Sequence, residues 1–410
     1  MPSSEQLATY AKILITKGLN LQKGQILVVN APVESSSFVT ILAKEAYLCG
    51  AAQVVLNWRC DDTTRLRYEH ESQKQFESFP EWRREFSLSY YRQNAAFLSL
   101  ISANPYLMTG IDTKKIFAWQ KAQNEALKDY IDGMMASKTT WLVAAVPSHT
   151  WAALLYPDLP AEKAFEALWN QILQSSRADG ADPLADWDAH LSNLAQRRQW
   201  MTDQHFAKLH YQNALGTNLT ISLPEGHIWQ GGAEKAGTGV LFNANIPTEE
   251  IYTAPCADGV NGIVYSTKPL VYNGNVIDKF HLVFENGAVV SASAEIGNDV
   301  LQKLITIDEG AARLGEVALI PYNSPISLSQ ILFYETLFDE NASCHLALGA
   351  SYPTCLAGGT DMTKEEIKQA GLNDSMIHVD FMVGSPDLSI VGIKADGTTV
   401  PVFTKGNWAE

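Results

Sequence analysis

Two histidines and several carboxylates stand in segments that are otherwise apolar or built from small residues. His378 and Asp380 lie in IHVDFMVG (377–384), His345 opens HLALG (345–349), Glu316 lies in GEVALIP (315–321), and Glu249 and Glu250 follow Pro247-Thr248. In 377–384 apolar residues alternate with polar ones. Side chains at i and i+2 share one face of a strand, so His378 and Asp380 project together, about 6–7 Å apart at their Cα atoms. A neutral imidazole and a carboxylate so placed can converge on one metal ion. Taken singly, each group has a plainer explanation: a polar pair on an edge strand, a glutamate at a strand end, a core histidine bonded to a carbonyl, a carboxylate pair at a helix start. As a set, Glu250, Glu316, His345, His378 and Asp380 supply five mixed oxygen and nitrogen ligands. That exceeds what one tetrahedral zinc needs. It suits two divalent ions about 3.5–4 Å apart with a carboxylate between them, for which Zn, Co and Mn are all tenable. The single-zinc helix motif HExxH is absent.

The rest of the chain must position these groups. Its 410 residues exceed one ordinary core, so two domains are expected, 1–187 and 188–410. A hydrophobic fraction of 46% with 18% charged residues is that of a packed globular protein. The net charge of −15 repels phosphate backbones and anionic lipid, which argues against nucleic acid and membrane as partners. The amino terminus has no basic and apolar leader, and no apolar run nears the roughly 20 residues of a membrane span. Five cysteines without a CxxC pair read as reduced thiols, and a cytoplasmic location is expected.

In the first half, helical and strand patterns alternate: helix over 5–17, strand over 25–33, helix over 36–48, strand over 53–58 with Asp61–Thr64 capping the next helix, strand over 96–102, one long helix over 113–135, and strand over 140–146. This rhythm predicts an α/β domain with a parallel sheet. Neither GxGxxG after the first strand nor GxxxxGK[ST] is present, so nucleotide binding is disfavoured. A polar stretch over 175–187 marks the domain break and a helix over 188–204 follows. From 209 onward short strands (219–223, 239–242, 262–266, 280–285, 289–294) are separated by turn signals at Asn273-Gly274 and Asn286-Gly287. Helices are expected over 299–304, 326–339 and 364–370. The second domain is therefore read as mainly antiparallel β with inserted helices, and it carries the metal site.

The runs 245–255 (NIPTEEIYTAP), 258–270 (DGVNGIVYSTKPL), GEVALIP, HLALG and HVDFMVG resemble, in order, spacing and context, the aminopeptidase T / aminopeptidase S family of dinuclear metallo-aminopeptidases. The similarity is dense from about 245 to 393 and extends in weaker form over the whole chain. The resemblance implies a homodimeric exopeptidase that removes the amino-terminal residue from short peptides. It makes Glu250, Glu316, His345, His378 and Asp380 the metal ligands and Tyr352 of GASYP (349–353) the active-site tyrosine. On that basis two ions lower the pKa of a shared water from about 15.7 toward about 7. A carboxylate, Glu316 before Glu249, moves the water's proton to the leaving amine, and the Tyr352 hydroxyl stabilises the oxyanion. Two metals alone do not choose the bond, so a metal-dependent esterase or phosphoesterase and a non-catalytic peptide-binding protein stand as alternatives.

Overall fold

The computed structural model describes residues 1–272 and 275–409. The chain divides into two compact units, Met1–Ala189 with Ala233–Pro247, and His190–Gly232 with Thr248–Glu410. The Asn273-Gly274 turn signal lies outside the described residues.

The first unit holds a five-stranded, all-parallel sheet. Its strands are β1 (Ile26–Pro32), β2 (Gln53–Arg59), β3 (Ala96–Ile101), β4 (Trp141–Ala145) and β5 (Asn245–Ile246), in the order β2-β1-β3-β4-β5. Parallel neighbours need crossover connections, and helices such as Ser36–Leu48 supply them. The continuous apolar runs of β1, β3 and β4 are buried as expected of a sheet covered on both faces. Tyr10, Phe38 and Trp169 pack ring to ring, and the Tyr10 hydroxyl donates to the Ala145 carbonyl at 2.9 Å.

Three local expectations are corrected. Asp61 and Asp62 lie inside the first turn of helix Asp61–His70, whose N-cap is Cys60, so they act through the helix dipole rather than as caps. The stretch 113–135 is two helices, Thr113–Ala126 and Lys128–Met135, which meet at the buried Leu127. The polar stretch before residue 188 is partly helical, because the helix starts at Pro183 and runs to Gln204. Proline at a first turn loses no helical hydrogen bond, and Trp187 is fully buried with its indole N–H on the Ser176 carbonyl.

In the second unit, strands 208–212, 218–222, 260–265, 270–272, 275–285, 288–296, 389–393, 399–404 and 407–408 form one sheet whose described pairings are antiparallel. Asn286 and Gly287 both take positive φ, 49° and 82°, in the turn that joins two of these strands. A second, four-stranded antiparallel sheet runs β6-β7-β8-β9, with β6 Ile251–Thr253, β7 Leu314–Leu319, β8 His345–Gly349 and β9 His378–Met382. The expected helix over 326–339 is interrupted. Short helices Pro325–Ser329 and Thr336–Asp339 flank a segment in which Gln330 and Tyr334 take left-handed φ of 57° and 55°. All mapped registers of β6 to β9 join residues of the second unit. No helix among the described residues is long and apolar enough to cross a membrane.

Candidate metal centre

The register of the four-stranded sheet brings the candidate ligands together. Glu316 stands opposite Ala347, and Ala347 opposite Asp380; His345 stands opposite Ala318, and Gly349 opposite His378. Residues opposite one another share a face. Glu316, His345, His378 and Asp380 therefore line one face, interleaved with Ala318, Ala347 and Gly349. The small residues leave the volume that the polar side chains fill. On the other face Val317, Leu319, Leu346, Leu348, Val379 and Phe381 join the buried core of the unit. A one-residue slip of any strand would exchange the two faces. The pairing of β7 with β8 shifts at Gly315, where a Cβ would lie 2.3 Å from the carbonyl oxygens of both Gly349 and Ala350. Only glycine allows that approach.

Glu250 immediately precedes β6 and lies in no helix. The Asn341 Oδ1 accepts from the Glu249 N–H at 2.7 Å, and Gly231 passes so close to the Glu250 carbonyl that a Cβ there would sit 2.4 Å from it. These contacts fix the backbone on both sides of Glu250.

Two overlapping donor groups result. Glu250, Glu316 and His345 form one, and Glu316, His378 and Asp380 the other, each with ligand atoms within 4.8 Å of one another. Glu316 belongs to both. Its Oε1 lies 3.6 Å from His345 Nε2, and its Oε2 lies 3.2 Å from His378 Nε2. His345 Nε2 is also 3.3 Å from Glu250 Oε2, and His378 Nε2 is 3.4 Å from Asp380 Oδ1. Each imidazole is oriented from behind. His345 Nδ1 is 3.0 Å from the Glu340 carbonyl and His378 Nδ1 is 2.8 Å from the Ala350 carbonyl. A carbonyl only accepts, so both Nδ1 atoms carry protons and both Nε2 atoms face the carboxylates, the arrangement usual for metal-binding histidines.

The electrostatics of the cation-free chain fit a site built for positive charge. Burial alone would raise Glu316, but hydrogen bonds to His345 and His378 and their charge prevail and hold it down to about 2. Burial alone would lower His378, yet Asp380 and Glu316 push it up to about 11. His345 stands well above the usual histidine value, because Glu250 and Glu316 outweigh its burial. Glu250 is raised by burial and by the charges of Glu316 and Asp380, against the pull of His345. Protons on the two imidazoles thus supply the charge that the carboxylates demand. Hard and borderline oxygen and nitrogen donors of this kind suit divalent cations.

Two further residues bear on the centre. The Tyr352 ring lies 4.9 Å from the His378 ring and 5.9 Å from that of Tyr252. Burial and then the carboxylates of Glu316, Asp380, Glu340 and Glu250 push its hydroxyl well above the usual range, so it stays a proton donor. Glu340 was not singled out from the sequence. Burial and the charges of Glu250 and Asp380 raise it well above the usual carboxylate range, which marks it as a neighbour of the cluster. The signal available was an acidic pair, Asp339-Glu340, set between Leu337-Phe338 and Ala342, five residues before His345. Glu249 lies apart from both donor groups. Its carboxylate faces His190 Nε2 at 3.9 Å.

The model of the thermophilic metalloprotease (M29) family matches residues 3–408. Aminopeptidase AmpS of Bacillus subtilis (strain 168) is 46% identical over 406 residues, covering 99% of each chain. Aminopeptidase 2 of Geobacillus stearothermophilus is 45% identical, covering 99% of this chain and 98% of its own. The solved structure of wild-type AmpT from Thermus thermophilus superposes with a TM-score of 0.93 at 36% identity, covering 99% of each chain. The α/β and antiparallel β architecture is therefore shared with a solved relative, and the chain belongs to the thermophilic metalloprotease (M29) family.

Proposed function

We propose that this chain is an aminopeptidase that releases the amino-terminal residue of short peptides, with two divalent ions (Zn, Co or Mn) held by Glu250, Glu316, His345, His378 and Asp380. The observation that carries the dinuclear reading is the position of Glu316, whose two oxygens face different donor groups. When bound, such ions supply a water acidic enough to ionise near neutral pH and a charge that polarises a carbonyl. Glu316 takes the proton of the attacking water and passes it to the leaving amine. Tyr352 donates its hydroxyl to the oxyanion that develops on the scissile carbonyl. The free α-ammonium of a peptide meets a wall of carboxylates, which favours cleavage at the amino terminus. The relatives named aminopeptidase support this choice of bond. The catalytic residues all fall in the expected domain 188–410. The family resemblance supports a homodimer, and the cysteine usage supports a cytoplasmic location.

The test is hydrolysis of a ladder of peptides, free or acetylated at the amino terminus, with elemental analysis of the same sample. Sequential release of single residues from the free peptides only, with about two ions per chain, is the expected result. Cleavage of acetylated peptides, or phosphoester hydrolysis without peptide hydrolysis, would overturn it.

Tyr352→Phe tests the assigned role of the hydroxyl. We expect kcat to fall by about 10²-fold, the loss typical of one oxyanion donor, with metal content unchanged. Loss of metal with the hydroxyl would instead make Tyr352 part of the metal-holding framework.

A further inference from the structure

Strand β9 is the edge of the site sheet, and a small cavity of about 110 Å³ lies against it. Asp380 and Met382, two residues apart and so on one face, both line it. Asp380 thus belongs at once to a metal-ligand group and to the cavity wall. A second wall is the strand Leu270–Tyr272, brought alongside β9 where the Thr267 N–H donates to the Met382 carbonyl at 2.8 Å. The third wall is the segment Tyr334–Asp339. Whole-ligand pockets run to about 300–1,000 Å³, so this space suits one side chain and not a peptide.

The third wall is built with care. Tyr334 holds a left-handed φ of 55°, an uncommon conformation for a bulky residue. The Asp339 carboxylate secures the turn by accepting from the N–H groups of Phe333 (2.8 Å) and Glu335 (3.1 Å). Asp339 is buried, and its charge and that of Lys268 offset one another. Its work is therefore largely structural: it holds Tyr334 and Glu335 against the cavity. Glu335 then brings a half-buried carboxylate to a space otherwise walled in part by Leu270 and Met382.

Three carboxylates (Glu335, Asp339 and Asp380) line the cavity, and the charge of Lys268 is set against Asp339. An acidic side chain entering this space meets like charge. A short or purely apolar one strips water from Glu335 and returns no hydrogen bond. A long aliphatic stem ending in a cation satisfies both surfaces, with the stem on Leu270 and Met382 and the tip on Glu335.

We propose that this cavity is the specificity subsite for the side chain of the residue being released, and that Glu335 selects lysine and arginine there. The inference rests on the aminopeptidase reading of the adjoining centre. It adds to that reading the substrate class and the residue that reads it.

The experiment compares kcat/KM for X-Ala-Ala tripeptides with X lysine, arginine, norleucine and glutamate, using the metal-loaded enzyme. Lysine and norleucine share a stem and differ in the charge. We expect lysine and arginine to exceed norleucine by at least about tenfold, since a site shaped for a polar group rejects an analogue that lacks it, and glutamate to be the poorest substrate. Glu335→Gln, which keeps an acceptor for the Leu337 N–H, should bring the lysine-to-norleucine ratio within about threefold of unity. Glu335→Lys should raise glutamate above lysine. A flat ratio in the unaltered enzyme, or a ratio that neither variant moves, overturns the proposal while the aminopeptidase reading stands. No cleavage of any tripeptide sinks both.

Discussion

Glu316→Gln is expected to lower kcat/KM for peptide hydrolysis by at least about 10³-fold, within the upper range for loss of a general base. The substitution keeps the volume of the side chain at a site only 4% exposed, so no cavity opens behind it. It removes a carboxylate held ionised down to about pH 2, and with it the group that faces both His345 and His378. A glutamine offers one oxygen and one NH₂, and so cannot accept from both sides. Two readouts separate loss of chemistry from loss of structure. The metal-free protein should keep its far-UV circular dichroism while its thermal midpoint falls, because the ionised carboxylate that His345 and His378 favour is lost. Metal content should fall by about one ion per chain or more, because Glu316 is the residue common to both donor groups. Turnover like that of the unaltered enzyme would remove Glu316 from the centre altogether.

Much of this centre was legible because strand geometry is so restrictive. The alternation of Ile377-His378-Val379-Asp380-Phe381 already places His378 and Asp380 on one face, and the β9 register puts them opposite Gly349 and Ala347 of the next strand. What periodicity could not give was which strands lie side by side. Pairing of β7 with β8 turns Glu316, which by itself reads as a surface residue at a strand end, into a buried group between two imidazoles. The break within 326–339 was hidden for a different reason. Phe333, Leu337 and Phe338 have apolar helical spacing, but Asp339 holds the backbone in a left-handed turn at Tyr334 through hydrogen bonds that no spacing rule reports. Glu340 escaped with it, since a carboxylate assigned next to a helix end looks solvated. The return of 233–247 to the first unit, where β5 extends the parallel sheet beside β4, depends on a two-residue strand too short to carry a pattern.

Metal binding is expected to release about two protons per chain at pH 7, one for each ion, and the affinity for each ion to rise about tenfold for each pH unit across the neutral range. The sign follows from the cation-free chain. His378 is raised to about 11 and His345 stands well above the ordinary histidine value, so both rings carry two protons at pH 7. Ligation needs a lone pair at nitrogen. The Nδ1 protons are committed to the carbonyls of Ala350 and Glu340, which leaves Nε2 as the atom that must lose its proton. One proton per imidazole is thus displaced as the site fills, and acid opposes filling by mass action. Titration calorimetry of the metal-free protein in two buffers of unlike ionisation heat measures the number directly. His378→Gln should reduce it by about one, because the raised ring is gone and the His345 group remains. A count above two would report protons held by Glu250 or Glu340, whose affinities for protons are raised by burial and by neighbouring carboxylates. Affinity that does not change between pH 6 and 8 would mean that neither imidazole binds the ion, and the five-residue ligand set would fail at its two nitrogen members.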